Sequence, residues 1–389
     1  MRIKRLAEDF KVEELVDLPV NEGGAYAYYQ VEKWGQPTLL VRDALADHLK
    51  VTSSNVVFLG SRDKNALAIQ YASIRQRVPE VVEGADFVAR LAGWGPRALR
   101  TSDLKGHRFT IVARDLPEAK ARAVAEVMAE IVQDGMPNYF DVARFGSFSE
   151  EGFIGKAILM RDAEEAIRLY LSAPMAGDPR EFRTFKQLVR THWGQWGYLL
   201  HQAPRPSNFR SVLTFLKDHP QKFRKALNLI QDRLLSIYLV AYQSWLWNGI
   251  LGRYLDEKTQ PEFWIEVAGC RLPLTQKRPP LPEHFRLSMP NLTAVYPPDL
   301  APIVDAVLAE EGITLEDFKA RVLRRVYLPK GERRVWFSPL EVEVGAPEPD
   351  GVFTGRWSIP VAFTLLPGHY ATLVMKALAA RLGESLRVR

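Results

Sequence analysis

The order of the secondary-structure patterns along the chain is the feature that most constrains its fold. In the first 150 residues, short β-prone runs alternate with helical patterns, and an apolar run at 56–59 that ends at Gly60 indicates a buried strand entering a turn. The middle of the chain is mostly helical, and a strand pattern returns only at 359–364. We therefore predict an α+β domain interrupted by a helix-rich insertion. The predicted parts are 1–155 and 321–389 for the α+β domain and 156–320 for the insertion.

Three elements within this pattern are predicted in more detail. The alternation of Leu67, Ile69 and Tyr71 indicates a strand just beyond the turn. Pro117 and Gly135 are typical of the first and last positions around a helix between them. A long apolar helix is predicted over about 223–254. The apolar face of the helix before Gly135 is predicted to comprise Val124, Val127, Met128, Ile131 and Val132.

Nineteen uncharged residues, 234–252, are close in length to a membrane-spanning segment. Polar residues such as Gln243, Ser244 and Asn248 interrupt this stretch, and the sequence has no second stretch like it. We therefore expect a buried helix of a globular domain and no membrane partner. The charged first ten residues also lack the apolar core of a signal peptide.

Composition places the chain among ordinary globular proteins. It has 389 residues, of which 47% are hydrophobic and 25% are charged, which argues against a disordered or collagen-like chain. Its single cysteine, Cys270, cannot form an internal disulfide. We therefore expect a reducing, cytoplasmic setting.

The common cofactor and metal motifs are missing from the sequence. There is no P-loop, no glycine-rich dinucleotide motif after a strand, no His-Glu-x-x-His and no paired cysteine spacing. The seven histidines are scattered, and nothing near Cys270 would activate its thiol. We therefore expect no cofactor, no metal site and no cysteine nucleophile.

The positive charge is modest in total but clustered. Lys and Arg exceed Asp and Glu by 52 − 46 = 6. Six basic residues and one acid lie within 205–225, and seven basic residues and one acid lie within 319–334. Such clusters suit an RNA backbone, although charge alone leaves solvated helix faces equally open. The candidate RNA-binding residues are Arg205, Arg210, Lys222, Arg224, Lys225, Arg321, Arg324 and Arg325.

A carboxylate between two cations follows the predicted strand at 56–59. Asp63 lies between Arg62 and Lys64 on a turn that begins at Gly60. The neighbouring cations would favour its charged form, which could serve as a nucleophile or a base. Taken alone, an aspartate in a surface ion pair is the more frequent explanation.

Two further segments carry candidate chemistry. At 137–146, Asn138 lies beside two aromatic residues and is followed by Arg144, so the segment could orient a group and stack on a base. A helix end with core aromatics is an equally good explanation. At 363–372, a strand, a Pro-Gly turn and a helix start could present backbone N–H groups to an anion, although a plain connector is slightly favoured.

Taken together and in this order, the three segments resemble the TruD-type tRNA pseudouridine synthases. The family patterns are Gly-x-Lys-Asp-x-x-Ala, Pro-Asn-Tyr-Phe-Gly-x-Gln-Arg-Phe-Gly and Leu-Pro-x-Gly-Ser-Tyr-Ala-Thr. The matching residues are Gly60-Ser61-Arg62-Asp63-Lys64-Asn65-Ala66, Pro137-Asn138-Tyr139-Phe140-Asp141-Val142-Ala143-Arg144-Phe145-Gly146 and Leu366-Pro367-Gly368-His369-Tyr370-Ala371-Thr372.

Weaker matches extend the resemblance over nearly the whole chain. The segment 3–14 is similar to the family's Lys…Glu-Asp-Phe-x-Val-x-Glu opening, and 243–248 is similar to a helix of its inserted module. Gly106-His107-Arg108-Phe109-Thr110 resembles the family's Gly-Asn-x-Phe-Thr strand. Each motif alone is weak, but their shared order is specific.

The resemblance implies a fold and a reaction. The fold is a pseudouridine synthase catalytic domain, with a mixed and mainly antiparallel sheet plus helices, interrupted by the TRUD-type module at 156–320. The reaction is the isomerisation of uridine to pseudouridine in RNA without cofactor or metal, with uridine 13 in the D arm of tRNA as the expected target. A monomer acting on tRNA is expected.

The resemblance also implies roles for individual residues. Asp63 would be the catalytic carboxylate, acting either by attacking the nucleoside or by removing a sugar proton. Lys4, Arg62 and Asn138 would support it, and Phe140 would stack on the target uracil, which must first leave the RNA stack.

The chain departs from the family pattern at several positions, and other functions stay open. Arg62 replaces a lysine, which keeps the charge but changes the hydrogen-bond geometry. Ala68 stands where threonine is frequent, Asp141 and Ala143 replace glycine and glutamine, and His369 replaces serine. The alternatives are a synthase acting on another RNA, a non-catalytic RNA-binding protein on the same scaffold, and a hydrolase of a substrate other than nucleic acid that uses Asp63 with a histidine.

Overall fold

The computed structural model describes residues 1–21, 23–62, 66–175, 177–275, 278–282, 284–325 and 328–388. By internal contacts the chain divides into two compact units. Unit 1 comprises Met1–Met136 and Ser338–Arg389, and unit 2 comprises Pro137–Phe337. Unit 1 is therefore discontinuous, as is the predicted α+β domain, but contact boundaries assign no function. The boundaries near 156 and 320, between the α+β domain and its insertion, therefore stay a prediction.

Eighteen strands are found within the described residues. They are Arg2–Ile3 (β1), Phe10–Val16 (β2), Tyr26–Lys33 (β3), Val56–Phe58 (β4), Leu67–Ile74 (β5), Val81–Glu83 (β6), Phe87–Gly95 (β7), Leu104–Leu116 (β8), Met136–Pro137 (β9), Phe263–Val267 (β10), Cys270–Leu274 (β11), Arg286–Ser288 (β12), Glu332–Arg334 (β13), Trp336–Phe337 (β14), Leu340–Val344 (β15), Glu348–Pro349 (β16), Trp357–Leu365 (β17) and Arg387–Val388 (β18).

Eleven α-helices are found within the same described parts of the chain. They are Thr38–His48 (α1), Glu118–Asp134 (α2), Ile154–Leu159 (α3), Ala163–Ser172 (α4), Arg180–Thr191 (α5), Trp196–Gln202 (α6), Phe209–Asp218 (α7), Phe223–Leu227 (α8), Asp232–Lys258 (α9), Ala301–Glu310 (α10) and Ala371–Arg381 (α11).

Unit 1 is built on a twelve-stranded mixed sheet. Its main path runs β15-β17-β8-β2-β5-β3-β7-β6, and β1, β4, β16 and β18 pair beside it. Most neighbours are antiparallel, whereas β2 and β5 are parallel, with Val12 opposite Ala68. This arrangement confirms the predicted α+β class with a mainly antiparallel sheet.

Helix α1 covers one part of this sheet. Its Val41 and Leu45 are 2% and 0% exposed and belong to one apolar cluster with Tyr29 of β3, Ala72 of β5 and Phe87 of β7. The helix therefore fixes the inner strands β3, β5 and β7 against one another through apolar burial.

The predictions for single elements of unit 1 are confirmed with two corrections. Helix α2 runs between Pro117 and Gly135, whose φ of +72° suits a glycine after a helix. Val132, however, is 39% exposed, so the apolar face is narrower than predicted. Strand β4 pairs only with β5 among the described strands, and its Val57 is 37% exposed, so this strand is not fully buried.

Unit 2 is mainly helical and is organised around α9. Most of this helix is buried, and α3, α10 and β11 pack against it. A Cβ atom on Gly155 of α3 would lie 2.4 Å from the carbonyl oxygen of Tyr238, so only glycine allows α3 to approach α9 this closely. The predicted single helix over 223–254 is wrong. Asn228 lies between α8 and α9, and its side chain donates to the carbonyl oxygens of Arg224 in α8 and of Val322 and accepts from the backbone N–H of Arg324.

The segment 234–252 lies within α9. Among the described residues, no helix combines the length and the apolar character that crossing a bilayer requires. Its polar side chains are used inside unit 2, since Gln243 donates to the carbonyl oxygens of Pro290 and Pro329 at 2.8 and 3.0 Å. The long apolar stretch is therefore explained by burial in unit 2.

Candidate active site

The predicted turn that carries Asp63 follows β4 of unit 1 in the chain. Asp63, Lys64 and Asn65 lie outside the described residues, so the structure is described up to Arg62 and again from Ala66. The carbonyl oxygen of Gly60 accepts a 3.0 Å hydrogen bond from the side chain of Gln70. The start of the turn is thereby tied to strand β5.

A buried carboxylate, Glu14, lies beside this turn. Its side chain has no exposed surface and accepts hydrogen bonds from Nε2 of Gln70 at 3.1 Å and from the backbone N–H of Tyr71 at 3.0 Å. Its Oε1 lies 3.6 Å from Nη2 of Arg62. Burial raises the pKa of Glu14, and the hydrogen bonds and the Arg62 charge partly oppose that rise. Glu14, which lies on strand β2, therefore links Arg62 to strand β5.

Arg62, the residue before Asp63, is held by its backbone and by its side chain. Its N–H donates to Oγ1 of Thr38 at 2.8 Å, and its carbonyl oxygen accepts from the N–H of Thr38 at 3.1 Å. Thr38 is the first residue of α1 and also donates to Oε1 of Gln70 at 2.6 Å. The chain leading to Asp63 is therefore anchored to α1, β2 and β5.

His107 of β8 is a further partner of the Arg62 guanidinium. Nη2 of Arg62 donates to Nε2 of His107, which lies directly opposite Glu14 in the pairing of β2 with β8. Burial, together with the nearby Arg62 charge, lowers the pKa of His107 to about 3. The imidazole is therefore neutral at physiological pH, as an acceptor of this hydrogen bond must be.

Lys4 lies in unit 1 with a positive φ of +60°. Its Nζ is 4.1 Å from the ring centroid of Phe10, which suits a cation–π contact. Edge and tilted ring contacts continue from Phe10 to Phe109 and from Phe109 to His107, with centroids 6.0 Å apart in each case. Lys4 and Arg62 thus lie at the two ends of one line of aromatic rings within unit 1.

Asn138 belongs to unit 2 and is 2% exposed. Its Nδ2 donates to the carbonyl oxygen of Arg334 at 2.8 Å, and its Oδ1 accepts from Nη2 of Arg333 at 2.7 Å. Its backbone N–H and carbonyl oxygen also bond, to Val335 and Arg333. The side-chain amide is therefore fixed in orientation.

Phe140 is also in unit 2 and is 6% exposed. The Arg333 guanidinium lies 4.1 Å from its ring centroid, the Arg144 guanidinium lies 5.1 Å from it, and Trp247 makes an edge contact at 5.5 Å. Its backbone N–H and carbonyl oxygen both bond to the side chain of Asn248 at 2.8 Å. The ring thus lies between two cations and an indole.

The two basic clusters meet within unit 2. The guanidinium of Arg224 donates to the carbonyl oxygen of Arg321 at 2.9 Å, which ties α8 to the second cluster. Arg210 is half-buried and uses its guanidinium on the carbonyl oxygens of Leu200 and Ala203. The exposed candidates are Arg205, Lys222, Arg224, Lys225, Arg321, Arg324 and Arg325.

The third sequence segment forms the predicted elements. Strand β17 ends at Leu365 and α11 begins at Ala371, so 366–370 form the connector. Burial raises the pKa of Cys270 to about 11, and its thiol is therefore protonated at neutral pH. Within the described parts of the chain, no group of three His, Cys, Asp or Glu side chains is placed to hold a metal ion.

Several residues around Arg62 in unit 1 and around Asn138 and Phe140 in unit 2 were not predicted from sequence. Glu14, His107 and Asn248 lie inside the matched motifs, but nothing in one sequence gave them a partner. Arg333 lies within a basic cluster, which predicts its positive charge but not its contacts with Asn138 and Phe140. A signal was available for Asn248, an amide within a long uncharged stretch, because such a residue implies a buried hydrogen-bond partner.

Comparison with known proteins gives consistent matches. The family profile described as tRNA pseudouridine synthase D (TruD) matches residues 1–266. The tRNA pseudouridine synthase D of Geobacter sp. (strain M21) is 30% identical over 390 residues, which cover 96% of this chain and 94% of that protein. The protein of the same name from Aquifex aeolicus (strain VF5) is 28% identical, over 97% of this chain and 98% of that protein.

A solved structure supports the fold. The crystal structure of a protein assigned as tRNA pseudouridine synthase D from Methanosarcina mazei matches with a TM-score of 0.73. The two sequences are 24% identical, and the match covers 97% of this chain and 92% of that one. The two chains therefore share one fold along nearly their whole length.

Proposed function

The chain belongs to the tRNA pseudouridine synthase D (TruD) family and is a pseudouridine synthase acting on tRNA, and we propose that it isomerises uridine 13 in the D arm with Asp63 as the catalytic carboxylate. The observation that carries this proposal is the anchoring of Arg62. Thr38, Glu14 and His107 hold its backbone and its guanidinium on three different elements. A rigid support one residue before a catalytic group is what a preorganised site needs.

The reaction rearranges one glycosidic bond and consumes no electrons. The bond between N1 of uracil and C1′ of the ribose breaks, the base turns, and C5 bonds to C1′. The C5 proton leaves, and N1 regains a proton, so that the product is an isomer of the substrate. Asp63 would act either by attacking the nucleoside or by removing a sugar proton to give a glycal. Both routes need an anionic carboxylate, which the adjacent Arg62 charge favours.

The unit 2 residues would recognise the target base. The amide of Asn138, fixed by Arg333 and the carbonyl oxygen of Arg334, would hydrogen-bond the carboxylate or the uracil. Phe140 would stack on the flipped uracil, which must leave the helical stack before reaction. Its two neighbouring guanidinium groups support a role beside a polyanion.

The basic clusters would contact tRNA phosphates. Arg224 joins the two clusters into one region of unit 2, so that their exposed cations could neutralise neighbouring phosphates. Lys4 would add positive charge beside the carboxylate. We place this activity in the cytoplasm, in keeping with the single cysteine. We also expect a monomer.

The first experiment tests the carboxylate. A tRNA transcript is incubated with the wild-type protein or with Asp63→Asn, and pseudouridine is mapped by carbodiimide modification and reverse transcription. We expect the variant to bind tRNA with an unchanged Kd but to form no pseudouridine. Normal conversion by Asp63→Asn would refute the assignment.

The second experiment tests the target. Total RNA from cells that lack the gene is mapped beside RNA from complemented cells. We expect the pseudouridine at tRNA position 13 to be missing and to return on complementation. A missing mark at another site instead would mean that the synthase acts on a different uridine.

A further inference from the structure

A cavity of about 460 Å³ lies within unit 2, among helices α4, α5, α7 and α9 and the 206–208 loop. Its volume falls within the roughly 300–1,000 Å³ range of small-molecule sites. None of its lining residues has a role in the proposed reaction. The lining residues that carry the argument are Tyr170, Asp178, Phe182, Lys186, Ser207 and Phe209.

Aromatic rings form much of the cavity lining. Phe209 lies at the centre, with ring centroids 5.3 Å from Tyr170 and 5.2 Å from Phe182. Tyr238, also in the lining, contacts Tyr170 edge-on at 6.2 Å. Phe182 is half-buried, whereas Phe209 and Tyr170 are 6% and 3% exposed. These rings give the cavity an aromatic, apolar wall in which Phe182 is the most exposed ring.

Polar atoms in the same lining have unused hydrogen-bonding capacity. Oη of Tyr170 and Oγ of Ser207 are buried and have no hydrogen-bond partner among the described residues. Lys186 is 3% exposed, and its Nζ makes one hydrogen bond within the described chain, to Asp178 at 2.8 Å, although an ammonium group carries three N–H donors. Since buried polar groups are normally satisfied, these atoms indicate a ligand with both donors and acceptors.

The charged residues that are next in sequence to the lining residues are mostly basic. Within the lining, Asp178 and Lys186 balance each other. Some charged residues are the immediate sequence neighbours of lining residues. Three of them are exposed arginines on three different segments, namely Arg183, Arg205 and Arg233. Arg210 is half-buried, and Glu181 is the only acid among these neighbours in the described chain. Arginines of this kind bind phosphate groups well.

We propose that this cavity binds one unstacked nucleobase of the RNA substrate. The aromatic rings would stack on the base, the hydroxyl groups and Lys186 would bond its edge, and the arginines would hold the flanking phosphates. This inference rests on the proposed function, because that function supplies the RNA. It adds a second base-binding site to unit 2, separate from the residues proposed to act on the target uridine.

Two opposite changes test occupancy of the cavity. Phe182→Ala removes a stacking surface, and Ser207→Trp fills the space without creating a void. Phe215→Ala is the matched control, because Phe215 is another half-buried phenylalanine of unit 2 and does not line the cavity. Each protein is first checked for unchanged thermal unfolding and then titrated with a tRNA transcript to obtain the Kd.

We expect both cavity variants to raise the Kd for tRNA at least about fivefold, since stacking on one base contributes about 1–3 kcal/mol. Phe215→Ala should leave the Kd unchanged, and kcat at saturating tRNA should be unchanged in all three variants. Wild-type affinity in both stable cavity variants would overturn the proposal. If Phe182→Ala loses stability, Ser207→Trp and Tyr170→Phe, which removes only one oxygen, carry the test.

A free nucleotide shares the chemistry of a base in RNA, so UMP and AMP are titrated in parallel by calorimetry. Binding of either nucleotide that Ser207→Trp abolishes, with tRNA affinity unchanged, would overturn the RNA proposal. Failure of the proposed function has a different signature, since Asp63→Asn would then stay active or the pseudouridine would map to a uridine other than position 13. If only the cavity variants lose tRNA affinity while the wild-type protein is active, the result supports the second base-binding site and leaves the proposed function unaffected.

Discussion

The contact between Arg62 and His107 joins two positions at which the chain departs from the family pattern. The family has lysine before its catalytic aspartate and asparagine in the Gly-Asn-x-Phe-Thr strand. In this chain those positions are Arg62 and His107, and the guanidinium donates to the neutral imidazole. The two departures are therefore expected to compensate for each other. The test is the cycle Arg62→Lys, His107→Asn and the double variant.

The size of the coupling follows from the environment of the two side chains. A hydrogen bond to a charged group contributes about 1.5–3 kcal/mol. The Arg62 side chain is 26% exposed and also has Glu14 as a partner, which weakens the effect of losing His107. We therefore expect a coupling free energy of about 1–2 kcal/mol, within the roughly 0.5–3 kcal/mol seen for residues in contact. A coupling free energy of this size corresponds to a factor of about 5 to 30 in the rate of pseudouridine formation.

The assay is the single-turnover rate of pseudouridine formation at saturating tRNA, with urea unfolding as a check on stability. Each single variant should lose activity because one partner is left without its match. The double variant should regain most of it, since lysine and asparagine are the family's own pair. If the two single losses simply add, so that the coupling falls below about 0.3 kcal/mol, the compensation argument is refuted.

The remaining predictions concern stability and binding. Between about pH 6.5 and pH 3, His107 of the unfolded chain binds a proton that His107 of the folded chain does not bind. The free energy of unfolding should therefore fall as the pH drops, by about 1.4 kcal/mol per pH unit. In urea titrations, His107→Gln should remove this contribution of His107 to the slope. Asn248→Ala removes the two buried hydrogen bonds between the Asn248 side chain and the backbone of Phe140 and should cost about 2–4 kcal/mol of unfolding free energy. Gly155→Ala should lower Tm, whereas Gly249→Ala, whose Cβ would lie 3.7 Å from its nearest neighbour, should raise it through about 1 kcal/mol of helix propensity. Lys222→Ala should reduce the salt dependence of tRNA binding by about one phosphate contact, seen as a smaller slope of log K against log salt.

Local patterns were enough to predict single elements. The alternation that begins at Leu67 and the Pro117–Gly135 boundaries gave β5 and α2 as observed, because both signals act over a few residues. The exposed Val132 and the break between α8 and α9 were missed. Each depends on what packs nearby, and Asn228 is bonded to residues almost a hundred positions away.

The network around Arg62 could not be predicted, because it depends on sheet order. Glu14, Gln70 and His107 are far apart in sequence and become neighbours only because β2 lies between β5 and β8. Motif matching indicated that these segments belong together but not which atoms meet. The sequence around the buried Glu14 carries no local signature that separates it from its half-buried neighbour Glu13.

The partners of Arg62 indicate what this residue contributes to the site. Its charge lies 3.6 Å from the carboxylate of Glu14, whose burial opposes full ionisation, and on its other side it meets a neutral imidazole. A nearby carboxylate reduces the net field that Arg62 exerts on the next residue. If charge were its main contribution, a partner such as Glu14 would be counterproductive. The combination of one shared carboxylate, one neutral acceptor and two hydrogen bonds between the Arg62 backbone and Thr38 instead favours a role for Arg62 in orienting the chain that leads to Asp63.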